Sequence, residues 1–437
     1  MVLLLLVIVS TQYPKLTIIT GFASKAMVSG VALSGRTTQS LKEQELNVPL
    51  IKWAQSTYHQ LGDSIWSSAK VWGLQERISV FREGVGGVLL PPDSDGKNIS
   101  IQRPKRIIHT SLLPYPFGSK APRDTLFPEI NYNILEQAMD AAFDNPQVQK
   151  TRSVLILYKD HVIGERYSPG ININTRILGW SMTKSILATL YGIRQAQGGL
   201  NVFDTVGWPA WNLDERSAIT YDDLLRMQSG LEWDENYNDI SDVTKMLFLS
   251  TDMTLVQPQK KLVAAPESFW NYSSGTTNFL SGLLRRDLID YQEYLDFPYR
   301  ELIDRIGMQS MLIETDLAGN YVASSYGWAT TRDWAKFGLL YLHRGNWNGS
   351  QIFDPQWVDY ITHPTSNSQG NYGAHFWLNA GGAFPNAPKD MYSANGFQGQ
   401  YVFIIPSKNL VIVRTGLAES PEFDADHFLK LVSLSIL

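Results

Sequence analysis

The chain has 437 residues, 44% apolar and 18% charged, with a formal net charge of −5. That composition describes a folded protein with a large core and offers no basic surface for nucleic acid. It contains no cysteine, which excludes disulfides, thiolate chemistry and a lipoprotein anchor. Its histidines, at positions 59, 109, 161, 343, 363, 375 and 427, show no ligand spacing, so neither a metal nor a cofactor is expected.

The chain opens on the apolar run MVLLLLVIVS, which Pro14 and Lys15 interrupt. Such a run is short for a membrane span and suits the core of a signal peptide or, extended through Leu16–Ile19, an uncleaved anchor. A buried core strand is the alternative. The small-residue pattern Ser24-Lys25-Ala26 offers a cleavage site, so residues 1–30 are expected to be a signal peptide or membrane anchor. An exported, periplasmic or membrane-anchored location follows, with membrane association through the N-terminus. Seven of the 21 prolines fall between Pro91 and Pro128 with polar residues between them, so residues 31–125 read as an N-terminal extension ending in an extended connector.

The remaining residues, 126–437, form the main domain. Tyr132 to Phe143 has helical spacing. SVLILYKDHVIGERYS reads as two strands around Lys159-Asp160-His161, and QYVFIIPSKNLVIVRTG as two more around Pro406-Ser407-Lys408-Asn409. Two hairpins separated by a long, mainly helical stretch predict an α+β fold: an antiparallel sheet built from the two ends of the domain, flanked by helices in a sandwich, with a mainly helical insert.

Within that insert, LGWSMTKSILATLYGIRQAQGG places Met182, Ile186, Leu187, Leu190 and Ile193 at helical spacing and ends on Gly198-Gly199. Ser181 therefore starts a helix, where free N–H groups and the helix dipole suit an oxyanion. Lys184, one turn on, shares its face. In an apolar setting its amine loses its proton easily and can take that of Ser181. The same spacing recurs at Ser67–Lys70 without a comparable helix, and an ordinary helix cap is the alternative role for Ser181.

Order along the chain adds two elements. Tyr272-Ser273-Ser274 precedes another helix-like run, and YSANGFQGQYVFIIP puts a glycine-rich turn before a strand. From about Asn131 to the end, these elements resemble the serine hydrolase family of class C β-lactamases, penicillin-binding DD-peptidases, family VIII carboxylesterases and 6-aminohexanoate-dimer hydrolases. LLRMQSGL at 224–231 and ATTRDWAKFGLLYLHRGNWNGSQIF at 329–353 resemble the last subgroup, and IITGFASKAMVSGVALSGR at 18–36 resembles the membrane-proximal leader of exported members.

The resemblance implies Ser181 as nucleophile, Lys184 and Tyr272 as proton-transfer residues, and the backbone N–H groups of Ser181 and Gln400 as an oxyanion hole. Lysine near Tyr272 is expected to favour its phenolate. Trp180, Ser274, Trp270, Trp328 and Phe397 are the candidate substrate-pocket residues. Phe397 stands where β-lactamases and DD-peptidases carry a basic residue, and Ser274 where many lactamases carry asparagine. Both point away from carboxylate recognition and toward a small-molecule ester or amide with an apolar acyl part. β-Lactamase or DD-peptidase activity and a non-catalytic penicillin-binding-like module are the other readings, and no feature of the sequence sets an oligomeric state.

Overall fold

The computed structural model describes residues 2–92, 102–108, 111–288, 290–418 and 422–437, with side chains from residue 13 onward; part of the Pro-rich connector, 93–101 and 109–110, lies outside these. The N-terminal apolar stretch folds as one helix, α1 (Val2–Ser34), continuous through Pro14. Proline removes a single N–H from the ladder, and the flanking turns carry the helix past it. Among the described residues, Tyr13–Ser34 is the one helical stretch long and apolar enough to cross a membrane, yet 67% of its most apolar window is buried within the protein.

What covers that stretch is a meander that sequence patterning left unassigned. β1 (Gln55–Leu61), β2 (Ser64–Val71), β3 (Leu74–Arg82) and β4 (Gly86–Leu89) pair in that order, all antiparallel. Small residues let α1 lie close to it: a Cβ on Gly87 would come within 2.5 Å of Ser29 Oγ. Ser24, inside the expected cleavage pattern, is buried and donates to Ser67 O and Ser79 Oγ.

In the main domain, α2 (Tyr132–Phe143) covers the expected helix, capped by the Asn131 side chain. The first hairpin is β5 (Thr151–Tyr158) and β6 (His161–Tyr167), so His161 begins a strand rather than ending the loop. Lys159 and Asp160 form the turn with φ of 46° and 66°, the left-handed pair that matches strand twist in a two-residue loop. Next come α3 (Met182–Ala196), α4 (Ser274–Leu288) and α5 (Thr331–Leu342). The chain then returns through β7 (Trp377–Leu378), β8 (Tyr392–Gly396), β9 (Gln400–Ile405) and β10 (Leu410–Gly416), and closes on α6 (Ala425–Leu434).

The sheet order is β7-β8-β9-β10-β5-β6, antiparallel throughout, so the two hairpins meet where β10 pairs with β5. Strand alternation splits the core in two. Leu155, Leu157, Val411 and Val413 face Ile186 of α3 and Trp334 of α5; Val154, Ile156, Phe403 and Ile412 face Met139 of α2 and Phe428 of α6. The result is the expected helix–sheet–helix sandwich.

Candidate active site

Ser181 is the N-cap residue of α3, but its side chain makes no capping bond. The turn before it is strained: Trp180 has φ of 48°, rare for a bulky residue. That turn is anchored at Gly179, whose N–H donates to Gly327 O at 2.8 Å. With capping left to others, the Ser181 hydroxyl is free for Lys184, whose Nζ lies 2.9 Å away.

Lys184 is 1% exposed and lies 2.9 Å from Ser181 Oγ, Ser274 Oγ and Ser324 O. Burial brings its pKa down to about 8, against a weaker opposing pull from Glu235. A neutral amine satisfies the same geometry by donating to Ser274 and Ser324 and accepting from the Ser181 hydroxyl.

Tyr272 joins from the turn before α4. Its ring centroid is 4.8 Å from Lys184 Nζ, and its hydroxyl lies near enough to the Ser181 side chain to feel it. The expected phenolate is corrected here: burial first, and then the charge of Glu235, push the Tyr272 pKa up, so the phenol keeps its proton. Of the two, Lys184 is the group whose pKa burial brings down toward neutrality.

The third element arrives on the β8–β9 hairpin. A Cβ on Gly396 would come within 2.1 Å of Gly179 O, so glycine is what lets this hairpin abut the Ser181 turn. Gln398 and Gly399, with φ of 64° and 75°, turn the chain into β9, which begins at Gln400. The amide groups of Ser181 and Gln400 thus come from two abutting turns, an arrangement that can hold a carbonyl oxygen.

Ser274 is buried at the start of α4 and links Lys184 to Glu235, donating to Glu235 Oε1 at 2.5 Å. Trp180 and Phe397 pack edge to face at 5.5 Å between ring centroids, and Phe397 stacks on Tyr237 at 4.8 Å. Trp270 lies with Tyr272, Tyr372 and Trp377 in a separate aromatic wall. Trp328 is not brought to Ser181: it is buried among Leu33, Leu312 and Leu178, and its indole donates to Glu314.

Sequence reasoning missed Glu235 and Tyr237. Both sit on the loop after LLRMQSGL, and Glu235 also accepts from Ser274 N at 2.9 Å. Trp233, Glu235 and Tyr237 alternate along an otherwise polar stretch, which is the one local signal that this loop turns side chains inward.

The family model described as Beta-lactamase matches residues 139–430, more than half of the chain. The chain belongs to the β-lactamase family. No curated protein matches it in sequence. Similar solved structures include a Bacillus anthracis protein assigned as a 6-aminohexanoate-dimer hydrolase, 19% identical, covering 72% of this chain and 87% of that one at a TM-score of 0.58. A family VIII carboxylesterase is 14% identical over 72% of this chain and all (100%) of its own, at 0.57. A class C β-lactamase mutant is 15% identical over 71% and 100%, at 0.53. These likenesses establish the β-lactamase fold for this family member.

Proposed function

We propose that this member of the β-lactamase family is a serine hydrolase that cleaves an ester or amide through an acyl-enzyme on Ser181. The observation that carries the reading is Lys184: a fully buried lysine that touches no carboxylate among the described residues and lies 2.9 Å from a serine hydroxyl that caps nothing. The neutral amine takes the Ser181 proton as Oγ attacks the substrate carbonyl carbon. The oxygen of the tetrahedral adduct is held by the N–H groups of Ser181 and Gln400. Tyr272 gives its phenolic proton to the departing oxygen or nitrogen and regains one from the Lys184 ammonium. Water then attacks the acyl carbon, Lys184 accepts the water proton, and that proton returns to Ser181 Oγ as the acid leaves.

Phe397 supports an apolar substrate over a β-lactam or D-alanyl peptide, because a phenyl ring neither donates a hydrogen bond nor carries charge. An exported, membrane-associated location is proposed on the apolar run at residues 1–9 alone.

Stopped-flow hydrolysis of p-nitrophenyl butyrate, with intact-protein mass spectrometry on the quenched reaction, tests the mechanism. A burst and an acyl adduct are expected on the parent and neither on Ser181→Ala. Full turnover by folded Ser181→Ala would sink it.

A further inference from the structure

The aromatic side chains beside Ser181 border a second space. Trp180, Tyr237 and Phe397 also line a cavity of about 530 Å³ that α1 lines with them. That volume lies within the range of small-molecule sites, roughly 300–1,000 Å³. Its buried lining is mainly apolar, with Thr244 and Gln398 the buried polar members: Ile18 and Ile19 are each 8% exposed, and Phe22 packs against Trp180 and Phe248. The charged groups that reach it, such as the Lys15–Asp239 pair, are half-buried or exposed and mark where it meets solvent.

Two features assign a side of the reaction to this cavity. The proton donor Tyr272 sits among Tyr372 and Trp377, so a departing group leaves along that wall. The acyl part, which stays on Ser181, is directed to the other flank, where Trp180 precedes the nucleophile in the chain and Phe397 precedes the turn into Gln400. Phe397 is half-buried and packed by ring contacts with Tyr237 and Trp180, so a change of its rotamer admits a chain. The α1 side of the cavity is fixed in place, because Lys25 pairs with Glu314 at 2.5 Å and Ser24 bonds to Ser67 and Ser79.

We propose that this cavity binds the acyl part of the substrate, that the substrates are esters or amides of medium- to long-chain apolar acids, and that α1 sets the accepted chain length through Ile18, Ile19 and Phe22. The assignment rests on the acyl-enzyme at Ser181 and adds the N-terminal helix to the enzyme's specificity.

The test is a series of p-nitrophenyl esters from acetate through butyrate and octanoate to dodecanoate, hydrolysed by the full-length parent, Ile19→Trp and Ile19→Ala. The parent is expected to prefer octanoate to acetate in kcat/KM by about tenfold or more, the discrimination a few methylenes give in an apolar pocket. Ile19→Trp fills the cavity and lowers the octanoate-to-acetate ratio about tenfold; Ile19→Ala enlarges it and moves the optimum toward dodecanoate. Opposite shifts cannot arise from loosening the fold. A parent that prefers acetate, or variants that change every ester by one factor, would overturn the assignment while an adduct on Ser181 still upheld the hydrolase. A parent that no ester acylates would instead strike at the acyl-enzyme reading itself.

Discussion

Two buried lysines in this molecule solve the same problem in different ways. Lys184 and Lys25 are 1% and 7% exposed, and burial lowers the pKa of both. Lys25 answers with a carboxylate: its Nζ is 2.5 Å from Glu314, which also accepts from Ser29, the Gly87 amide and Trp328. Among the described residues, the hydrogen-bond partners of Lys184 are hydroxyls and a carbonyl, with the Tyr272 ring beside them, and the carboxylate that acts on it, Glu235, does so across Ser274. The lysine that fastens a helix is paired with charge, and the one proposed to transfer protons is denied it.

The sharpest way to break that contrast is to truncate each side chain. Lys184→Ala is expected to cut kcat/KM for p-nitrophenyl butyrate by roughly 10³–10⁴-fold, the scale of a lost general base, with the fold intact by circular dichroism. Lys25→Ala leaves Glu314 buried without its cation and is expected to cost about 3–5 kcal/mol in urea unfolding, while the folded protein still forms the acyl adduct on Ser181. Loss of acylation in folded Lys25→Ala, or full turnover in Lys184→Ala, would erase the distinction.

A smaller effect sharpens it. Lowering the Lys184 pKa from 10.5 to about 8 corresponds to about 3 kcal/mol of disfavoured charge. Because the unfolded chain holds this proton more tightly, the cost is full below about pH 8 and vanishes as pH rises through 10.5. Lys184→Met removes the charge but leaves two serines and a carbonyl without their partner, at about 1 kcal/mol each. The decisive readout is therefore the pH dependence of the stability difference. Relative to the parent, the methionine variant is expected to be more favoured at pH 7 than at pH 10 by about 2–3 kcal/mol in chemical denaturation. A difference that does not move with pH would mean that Lys184 carries no such burden.

How much of this was legible in the sequence depends on what kind of signal each part leaves. The central sheet announces itself, because β5 and β10 alternate between two buried faces and so each carries an unbroken apolar run, Val154–Tyr158 and Leu410–Val413. The β1–β4 meander hides, since strands such as QSTYHQL bury few positions and show no apolar face. α1 is apolar on all sides, so its sequence cannot tell a membrane from a protein partner. The recurring serine–lysine spacing is resolved by backbone alone. On the strand β2, residues three apart point to opposite faces, and Ser67 is buried against Ser24 while Lys70 is exposed. On the helix, Ser181 and Lys184 meet. Trp328 is a candidate pocket residue by sequence, but its strand, Gly327–Ala329, pairs with Ile177–Leu178 and turns the indole toward Glu314. Glu235 lies 39 residues before Ser274 on an irregular loop, and only the folded chain brings the two together.

Glu235 also carries the finest test of the contrast. Its Oε1 accepts from Ser274 Oγ and its Oε2 from Ser274 N, so it holds the start of α4 in place. Its charge does a second thing: it favours the ammonium of Lys184 and holds the Tyr272 proton on. With a Lys184 pKa of about 8, roughly one tenth of the lysine is neutral at pH 7, and kcat/KM is expected to rise with pH through that value. Glu235→Gln keeps the side chain's shape and an acceptor for Ser274 but removes the charge. Lys184 then gives up its proton more readily, and the acid limb of the pH profile moves to lower pH. A purely structural Glu235 would lower the plateau and leave the limb where it was. A limb displaced to higher pH would mean that the carboxylate does not favour the lysine's charge, and the account of Lys184 as a base kept apart from direct charge would fail with it.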